Sequence, residues 1–168
     1  MKRVFSANAS EAQRRKETQT APRGLENEVF LNLLRTADVL LRDVEQILKA
    51  VELSHTQYNV LRILRGAGRQ GLACQEIGER MLTRDPDITR LLDRLEARAL
   101  VSRARGRADR RVVETRITPA GLRILRELDE PISALHRRQL RHIEPRRLRL
   151  LAGLLEQLRE GRAPEGQE

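Results

Sequence analysis

The sequence predicts a mainly helical protein that carries one small β-hairpin, and three observations lead to this prediction. Of the 168 residues, 39% are apolar but only 2% are aromatic, so the core must consist of Leu, Ile, Val and Ala. A composition rich in Leu, Arg and Glu favours helices. One segment alone, residues 112–117, concentrates β-branched residues after a turn glycine, Gly106, as the second strand of a hairpin does. The length fits one compact domain.

The N-terminal part of the chain changes character near residue 25. Residues 1–24 are basic and polar and have no apolar period, so we expect a mobile basic arm. From Val29 to Val51 apolar residues recur at spacings of three and four, which predicts a helix of about six turns within residues 25–52. This long apolar stripe needs a large partner surface.

Three further helices are predicted from their starting residues and their apolar faces. Ser54 and Gln57 form a capping box, which makes the start of the second helix the most secure boundary in the chain. The third helix begins after Ala73, a residue that offers no capping oxygen. Asp85 and Pro86 fit the cap and the first residue of the fourth helix. Its inward face consists of four aliphatic residues: Ile88, Leu91, Leu92 and Leu95.

The second half of the chain contains the hairpin and two more helices. After the hairpin, Thr118 and Pro119 predict another helix start, and Pro131 is expected to kink or split that helix. Leucines at helical spacing predict a last helix from about Arg146, and residues 161–168 form a tail. The order of helices and hairpin in residues 53–118 is that of a winged helix-turn-helix, in which the hairpin is the wing.

The distribution of positive charge along the chain indicates which surface binds a partner. Thirty-three Lys and Arg against 24 Asp and Glu give a net charge of +9, and six arginines and two acids between residues 103 and 116 give +4 there. Outside the leucine face, the fourth helix presents Asp87, Arg90 and Arg94, with Thr89 beside them. An α-helix fits the major groove of DNA, where arginine pairs with guanine, and a basic hairpin suits the minor groove or the phosphates. Two alternatives are a genome-wide preference for arginine and a solvated helix face paired with Asp87 and Asp93.

These residues resemble the MarR (multiple antibiotic resistance regulator) family of bacterial transcription factors. The resemblance lies in three stretches, Leu53–Leu61, Ile88–Glu96 and Asp109–Val112, and in the following Thr118-Pro119-x-Gly121. It covers about residues 28–160. One departure is Ala99, which stands where the family usually has glycine.

The resemblance implies a homodimeric regulator in which residues 25–52 and 119–160 form the dimerisation helices. It implies that Thr89, Arg90 and Arg94 lie in the major groove, that Asp109 orients the wing and that Arg111 reaches the minor groove. Together with the charge pattern, this predicts eleven DNA-binding residues: Arg84, Asp87, Thr89, Arg90, Arg94, Arg103, Arg105, Arg107, Asp109, Arg110 and Arg111. We expect a repressor on a pseudo-palindromic operator, released by a small acidic or aromatic effector.

The remaining residues suggest no catalysis, cofactor or metal site. Cys74 is the single cysteine, and its position at a helix start favours a packed small residue over a redox sensor. His55 could line an effector pocket, but a surface histidine is the simpler interpretation. No apolar run reaches the length of a membrane span, so we expect a cytoplasmic protein. The competing hypotheses are a non-specific architectural DNA-binding protein and an adaptor that binds an acidic protein.

Overall fold

The computed structural model describes residues 24–82, 87–105 and 112–161. The helices are α1 (Leu25–Lys49), α2 (His55–Ala67), α3 (Cys74–Arg80), α4 (Ile88–Ala97), α5 (Pro119–Leu140) and α6 (Pro145–Glu160). The strands are β1 (Leu72–Ala73), β2 (Val101–Arg105) and β3 (Val113–Ile117). This order confirms the predicted mainly helical fold with a hairpin wing. The predicted basic arm and the C-terminal tail lie almost wholly outside the described residues.

The sheet has three antiparallel strands in the order β1-β3-β2. The predicted hairpin of β2 and β3 is present, with Val101 opposite Ile117 and Arg105 opposite Val113. Strand β1, which pairs Leu72 with Thr115 on the other edge of β3, was not predicted. Two residues are too few to show an alternating pattern, so this strand exists through its pairing and not through its own sequence.

The chain divides after Leu41 into two units, and the division falls inside α1. In the first unit, α1 leaves large apolar side chains such as Phe30 and Leu34 exposed. The second unit contains a mostly aliphatic core that also includes Tyr58, and α2, β1, α3, α4, β2, α5 and the end of α1 contribute to it. Its fully buried members include Leu48, Leu61 and Leu95, and each such side chain contributes about 1.5–3 kcal/mol.

The helix starts confirm most of the predicted boundaries. Ser54 Oγ accepts the Gln57 N–H at 3.1 Å and Gln57 Oε1 accepts the Ser54 N–H at 3.0 Å, which is the predicted capping box. Thr118 Oγ1 accepts the Gly121 N–H at 3.1 Å at the start of α5. Ala73 supplies no cap to α3, and only its own N–H is bonded, to Glu76 Oε2 at 2.8 Å.

The predicted cap of α4 is wrong, and of the kink or split predicted at Pro131 the split is absent. The cap of α4 is Asp87 and not Asp85, because the Asp87 carboxylate accepts the Arg90 N–H at 3.2 Å and its carbonyl accepts the next N–H. Asp85 and Pro86 lie outside the described residues. Helix α5 is not split at Pro131, which is exposed, since Leu128 and Ile132 are buried on either side and hold both halves on the core.

Helix α4 ends through a left-handed residue, Ala99, with φ 55°. The Leu100 N–H bonds back to Leu95 O at 3.0 Å and the Ala99 N–H to Glu96 O at 2.8 Å, which is a Schellman motif. This motif normally has glycine at the left-handed position, because a Cβ is strained there.

We therefore expect Ala99→Gly to raise the free energy of unfolding by about 1 kcal/mol. Chemical denaturation at a fixed protein concentration measures this. The control is Ala97→Gly, which places glycine in helical backbone and should lower the same quantity by about 0.5–1 kcal/mol. A loss of stability in Ala99→Gly would contradict the strain at this position.

Candidate nucleic-acid interface

Helix α4 separates a buried leucine face from an exposed polar face. Leu91, Leu92 and Leu95 are 7%, 1% and 0% exposed. The opposite side exposes four polar residues: Thr89, Arg90, Asp93 and Arg94. This confirms the predicted orientation of the helix, because the leucine spacing leaves that side free. An α-helix fits the major groove of B-DNA, so this face could meet base edges there.

The two arginines of this face differ in their partners. Arg90 Nε lies 3.1 Å from Asp87 Oδ2, and its side chain is 78% exposed. Within the described residues, Arg94 has no hydrogen bond or ion pair to a side chain. The pair of Asp87 and Arg90 is the salt bridge that the solvated-face alternative predicts, but an exposed pair of this kind contributes only about 0–1 kcal/mol. Arg90 therefore remains able to exchange Asp87 for a DNA partner at little cost.

Arg103 is held between β2 and α4 by two carboxylates. Its Nε and Nη2 donate to Glu96 Oε2 at 2.8 and 2.6 Å, and Nη2 also donates to Asp93 Oδ1 at 2.5 Å. The Arg103 N–H donates to Glu96 Oε1 at 3.1 Å. The hydrogen bonds between the Arg103 and Glu96 side chains are the main reason why the pKa of the Glu96 carboxyl is lowered and the pKa of Arg103 is raised. We call Asp93, Glu96 and Arg103 the wing clamp, since it fixes the hairpin on α4.

The wing clamp changes the interpretation of one predicted residue and adds another. Arg103 is a positioning residue here, with its charge offset inside the protein, and its contact with DNA stays a prediction. Glu96 was not among the predicted functional residues. The one signal in the sequence is its place three residues after Asp93, on the same side of α4. That spacing does not reveal Arg103, because the fold brings β2 back to the helix.

Beyond the clamp, the described part of the wing is mixed in charge. Arg105 is exposed at the end of β2. On β3, Arg116 donates to Glu114 at 2.6 Å, so this arginine is also neutralised. The other predicted contacts lie outside the described residues, and their roles stay predictions: Arg84, Arg107, Asp109, Arg110 and Arg111.

A cleft of about 310 Å³ lies between α2 and α5. Arg65 donates from Nη1 to both carboxylate oxygens of Asp129, at 2.9 and 2.8 Å, across this cleft. The Arg62 guanidinium lies 5.7 Å from the centre of the Tyr58 ring, a cation–π distance. His136 lines the cleft, whereas His55 does not. A wider cleft of about 990 Å³ lies between α2 and β3, and three arginines line it. Arg65 and Arg116 have carboxylate partners, whereas Arg69 has none among the described residues.

Cys74 and the histidines form no metal site within the part of the chain that the structure describes. Cys74 is half-buried and packs against the core, as a small residue at a helix start does. Burial lowers the pKa of His55 in the first turn of α2. Across residues 24–82, 87–105 and 112–161, no three His, Cys, Asp or Glu side chains come together as metal ligands. None of the helices in the same ranges is both long and apolar enough to span a lipid bilayer.

Comparison with known sequences finds transcriptional regulators. A sequence model of the MarR family matches residues 53–113. The HTH-type transcriptional regulator TtmR of Methylorubrum extorquens is 33% identical over 108 residues, which are 64% of this chain and 54% of TtmR. MhqR of Bacillus subtilis is 36% identical over 91 residues, 49% of this chain and 61% of MhqR. The chain thus spans somewhat more than half the length of these two relatives.

Solved structures with the same fold cover more of the chain. A MarR transcription factor from Planctomyces limnophilus is 44% identical, with a TM-score of 0.62, and the match covers 79% of this chain and 96% of that one. MepR of S. aureus, solved in complex with DNA, has a TM-score of 0.70 at 18% identity, covering 79% and 97%. BpsR of Bordetella bronchiseptica, whose DNA binding is regulated by 6-hydroxynicotinic acid, has a TM-score of 0.73 at 21% identity, covering 82% and 97%.

Proposed function

The chain belongs to the MarR family of transcriptional regulators, and from this premise we propose that it binds a pseudo-palindromic operator in duplex DNA as a homodimer. The observation that carries the proposal is the exposed face of α4, where Thr89, Arg90 and Arg94 stand out from the buried leucines. Arginine pairs bidentately with guanine in the major groove, so this face is suited to reading bases. The wing clamp holds the hairpin beside it, in reach of the neighbouring phosphates or minor groove.

Exposed apolar helix surfaces support the homodimer. None of the residues of α6 is buried, and the helix exposes four leucines: Leu150, Leu151, Leu154 and Leu158. In the first unit, α1 exposes five apolar side chains: Leu25, Val29, Phe30, Leu34 and Val39. A continuous apolar helix surface is costly to leave in water and is typical of an interface. A second copy of the chain offers matching helices, and its two-fold symmetry gives the operator its two half-sites.

The regulator acts as a repressor by covering a promoter, and a small acidic ligand in the cleft between α2 and α5 releases it. The regulation of BpsR by 6-hydroxynicotinic acid is a precedent within this fold. The cleft suits a carboxylate, because Arg62 is a lining arginine with no carboxylate partner among the described residues. Tyr58 also lines the cleft, with the Arg62 guanidinium over its ring. The other two lining arginines, Arg65 and Arg137, already pair with Asp129 and Glu130.

Selection from a pool of random duplexes tests the proposal. We expect the selected DNA to contain an inverted repeat whose half-sites lie about 10 base pairs apart, one helical turn. The affinity for this repeat should exceed that for random duplex by about 10³ or more. Binding without an enriched sequence would instead indicate an architectural DNA-binding protein. No binding to duplex DNA at all would favour the adaptor that uses its basic face for an acidic protein.

A further inference from the structure

Arg98, the C-cap residue of α4, reaches across to the end of α1. Its Nη1 donates to the carbonyl oxygen of Glu52 at 2.5 Å and its Nη2 donates to that of Val51 at 2.9 Å. Arg98 lies 46 positions after Glu52 and 47 after Val51 in the sequence. The guanidinium is a planar fork, so it can hold two successive carbonyls at once, which an ammonium group cannot do.

The two carbonyls are available because of the way α1 ends. Glu52 is left-handed, with φ 53°, and its N–H bonds to Lys49 O at 3.1 Å while the Leu53 N–H bonds to Leu48 O at 3.1 Å. This Schellman turn leaves the carbonyls of residues 51 and 52 beyond the helix without a helical N–H. The C-terminal end of a helix also carries partial negative charge, which favours a cation there.

The residues that follow Arg98 are bonded to the start of α5. Ala99 O accepts the Thr118 hydroxyl at 2.7 Å, and Leu100 O accepts the Thr118 N–H at 3.0 Å. Thr118 is the residue that caps α5. The segment Arg98–Leu100 therefore joins the end of the recognition helix to the end of α1 on one side and to the start of α5 on the other. We call these contacts the helix junction.

We propose that Arg98 is a positioning residue for operator binding, which sets the place of α4 against the end of α1 and thereby the spacing at which two recognition helices meet DNA. The inference rests on the proposed function, in which α1 belongs to the dimer interface. In such a dimer, any freedom at the helix junction becomes freedom in the distance between the two heads. Arg98 itself needs no contact with DNA for this role.

The test compares one duplex that needs both heads with one that needs a single head. The variants are Arg98→Ala, Arg98→Lys and, as a matched loss of one charge, Arg126→Ala, at an exposed position on α5. We expect Arg98→Ala to bind the full operator about tenfold more weakly than Arg126→Ala does, since two bonds from a charged donor are lost. On an isolated half-site the two alanine variants should agree within about twofold.

Operator spacing supplies the readout that a merely stabilising residue would not change. The wild type should prefer the native spacing to one lengthened by a single base pair, and Arg98→Ala should lose most of this preference. Arg98→Lys should resemble Arg98→Ala, because lysine keeps the charge and loses the fork. Equal losses on the full operator and the half-site, or an unchanged spacing preference, would overturn the inference.

The dimeric function and the role of Arg98 are contradicted by different results. A wild-type protein that does not distinguish the full operator from the half-site would contradict the proposed dimeric function and the inference with it. A wild type that distinguishes them, together with an Arg98→Ala variant that does so equally well, would overturn the inference alone.

Hydrogen exchange of the free protein adds a test without DNA: the Leu53 amide should exchange at least about tenfold faster in Arg98→Ala than in Arg126→Ala. Unchanged exchange would also overturn the inference.

Discussion

The double variant Arg90→Ala, Arg94→Ala is expected to bind its operator about 30- to 10⁴-fold more weakly than the wild type. Each bidentate pair of an arginine with a guanine is worth about 1–3 kcal/mol, and the exposed face of α4 offers two such arginines. The fold should survive, because both side chains are exposed and only the surface pair of Arg90 with Asp87 is lost. Equilibrium titration with the selected operator and with random duplex measures both affinities.

The matched control is Arg123→Ala, Arg126→Ala, which removes two exposed arginines from α5. Both double variants lose the same charge, so both should bind random duplex somewhat more weakly and with a similar dependence on salt. Only the α4 variant should lose its preference for the operator. If the two variants lose operator affinity equally, the recognition face is not on α4, and the assignment of Arg90 and Arg94 is wrong.

Local signals in the sequence were sufficient for the helices and the hairpin. The capping box of Ser54 and Gln57 is a pattern of four consecutive residues, and the structure contains both of its bonds. The orientation of α4 follows in the same way, since the spacing of Leu91, Leu92 and Leu95 leaves one face free. The exposed face of α4 could therefore be predicted from the sequence alone, because it lies opposite the buried leucines.

Contacts between distant parts of the chain could not be predicted. Strand β1 has two residues and forms through pairing with β3. Glu96 looks like any helical glutamate until β2 brings Arg103 beside it. Arg98 binds backbone carbonyls, which leave no signature of residue type at positions 51 and 52. Each of these features depends on how the elements pack, and no spacing along the chain encodes it.

A count of charged residues in the sequence likewise does not show which arginines of the wing already have a carboxylate partner. The arginines between residues 103 and 116 indicate a basic wing, but Arg103 and Arg116 are held by Glu96 and Glu114. Arg103 fixes the wing on α4, and because both arginines already have a carboxylate partner they are poorly placed to attract DNA. The basic character of the candidate interface therefore depends more on Arg105 and on the predicted tip residues than the count alone suggests. A charge pattern in the sequence indicates which surface is basic, and the ion pairs in the structure show which of its arginines already have a carboxylate partner.

Gly121→Ala is expected to lower the free energy of unfolding by about 2–4 kcal/mol. Gly121 is buried in the first turn of α5. An added Cβ would overlap the carbonyl oxygen of Leu100 and would lie 2.8 Å from Ile117 Cγ1. A backbone carbonyl cannot rotate away as a side chain can, so the start of α5 must move. The shift also weakens the cap, because Thr118 Oγ1 accepts the N–H of Gly121 itself.

Gly66→Ala is the control for this change, because Gly66 lies in α2 with no atom within 4 Å of an added Cβ. Alanine there should raise the free energy of unfolding by up to about 1 kcal/mol, since glycine is a poor helix former. Urea denaturation of both variants at one protein concentration gives the comparison, since association contributes to stability in a dimer.

Because Leu100 O also accepts the Thr118 N–H, a shift there disturbs the helix junction, and Gly121→Ala should narrow the difference in affinity between full operator and half-site. If Gly121→Ala is as stable as the wild type, the first turn of α5 does not approach Leu100 as closely as the structure has it.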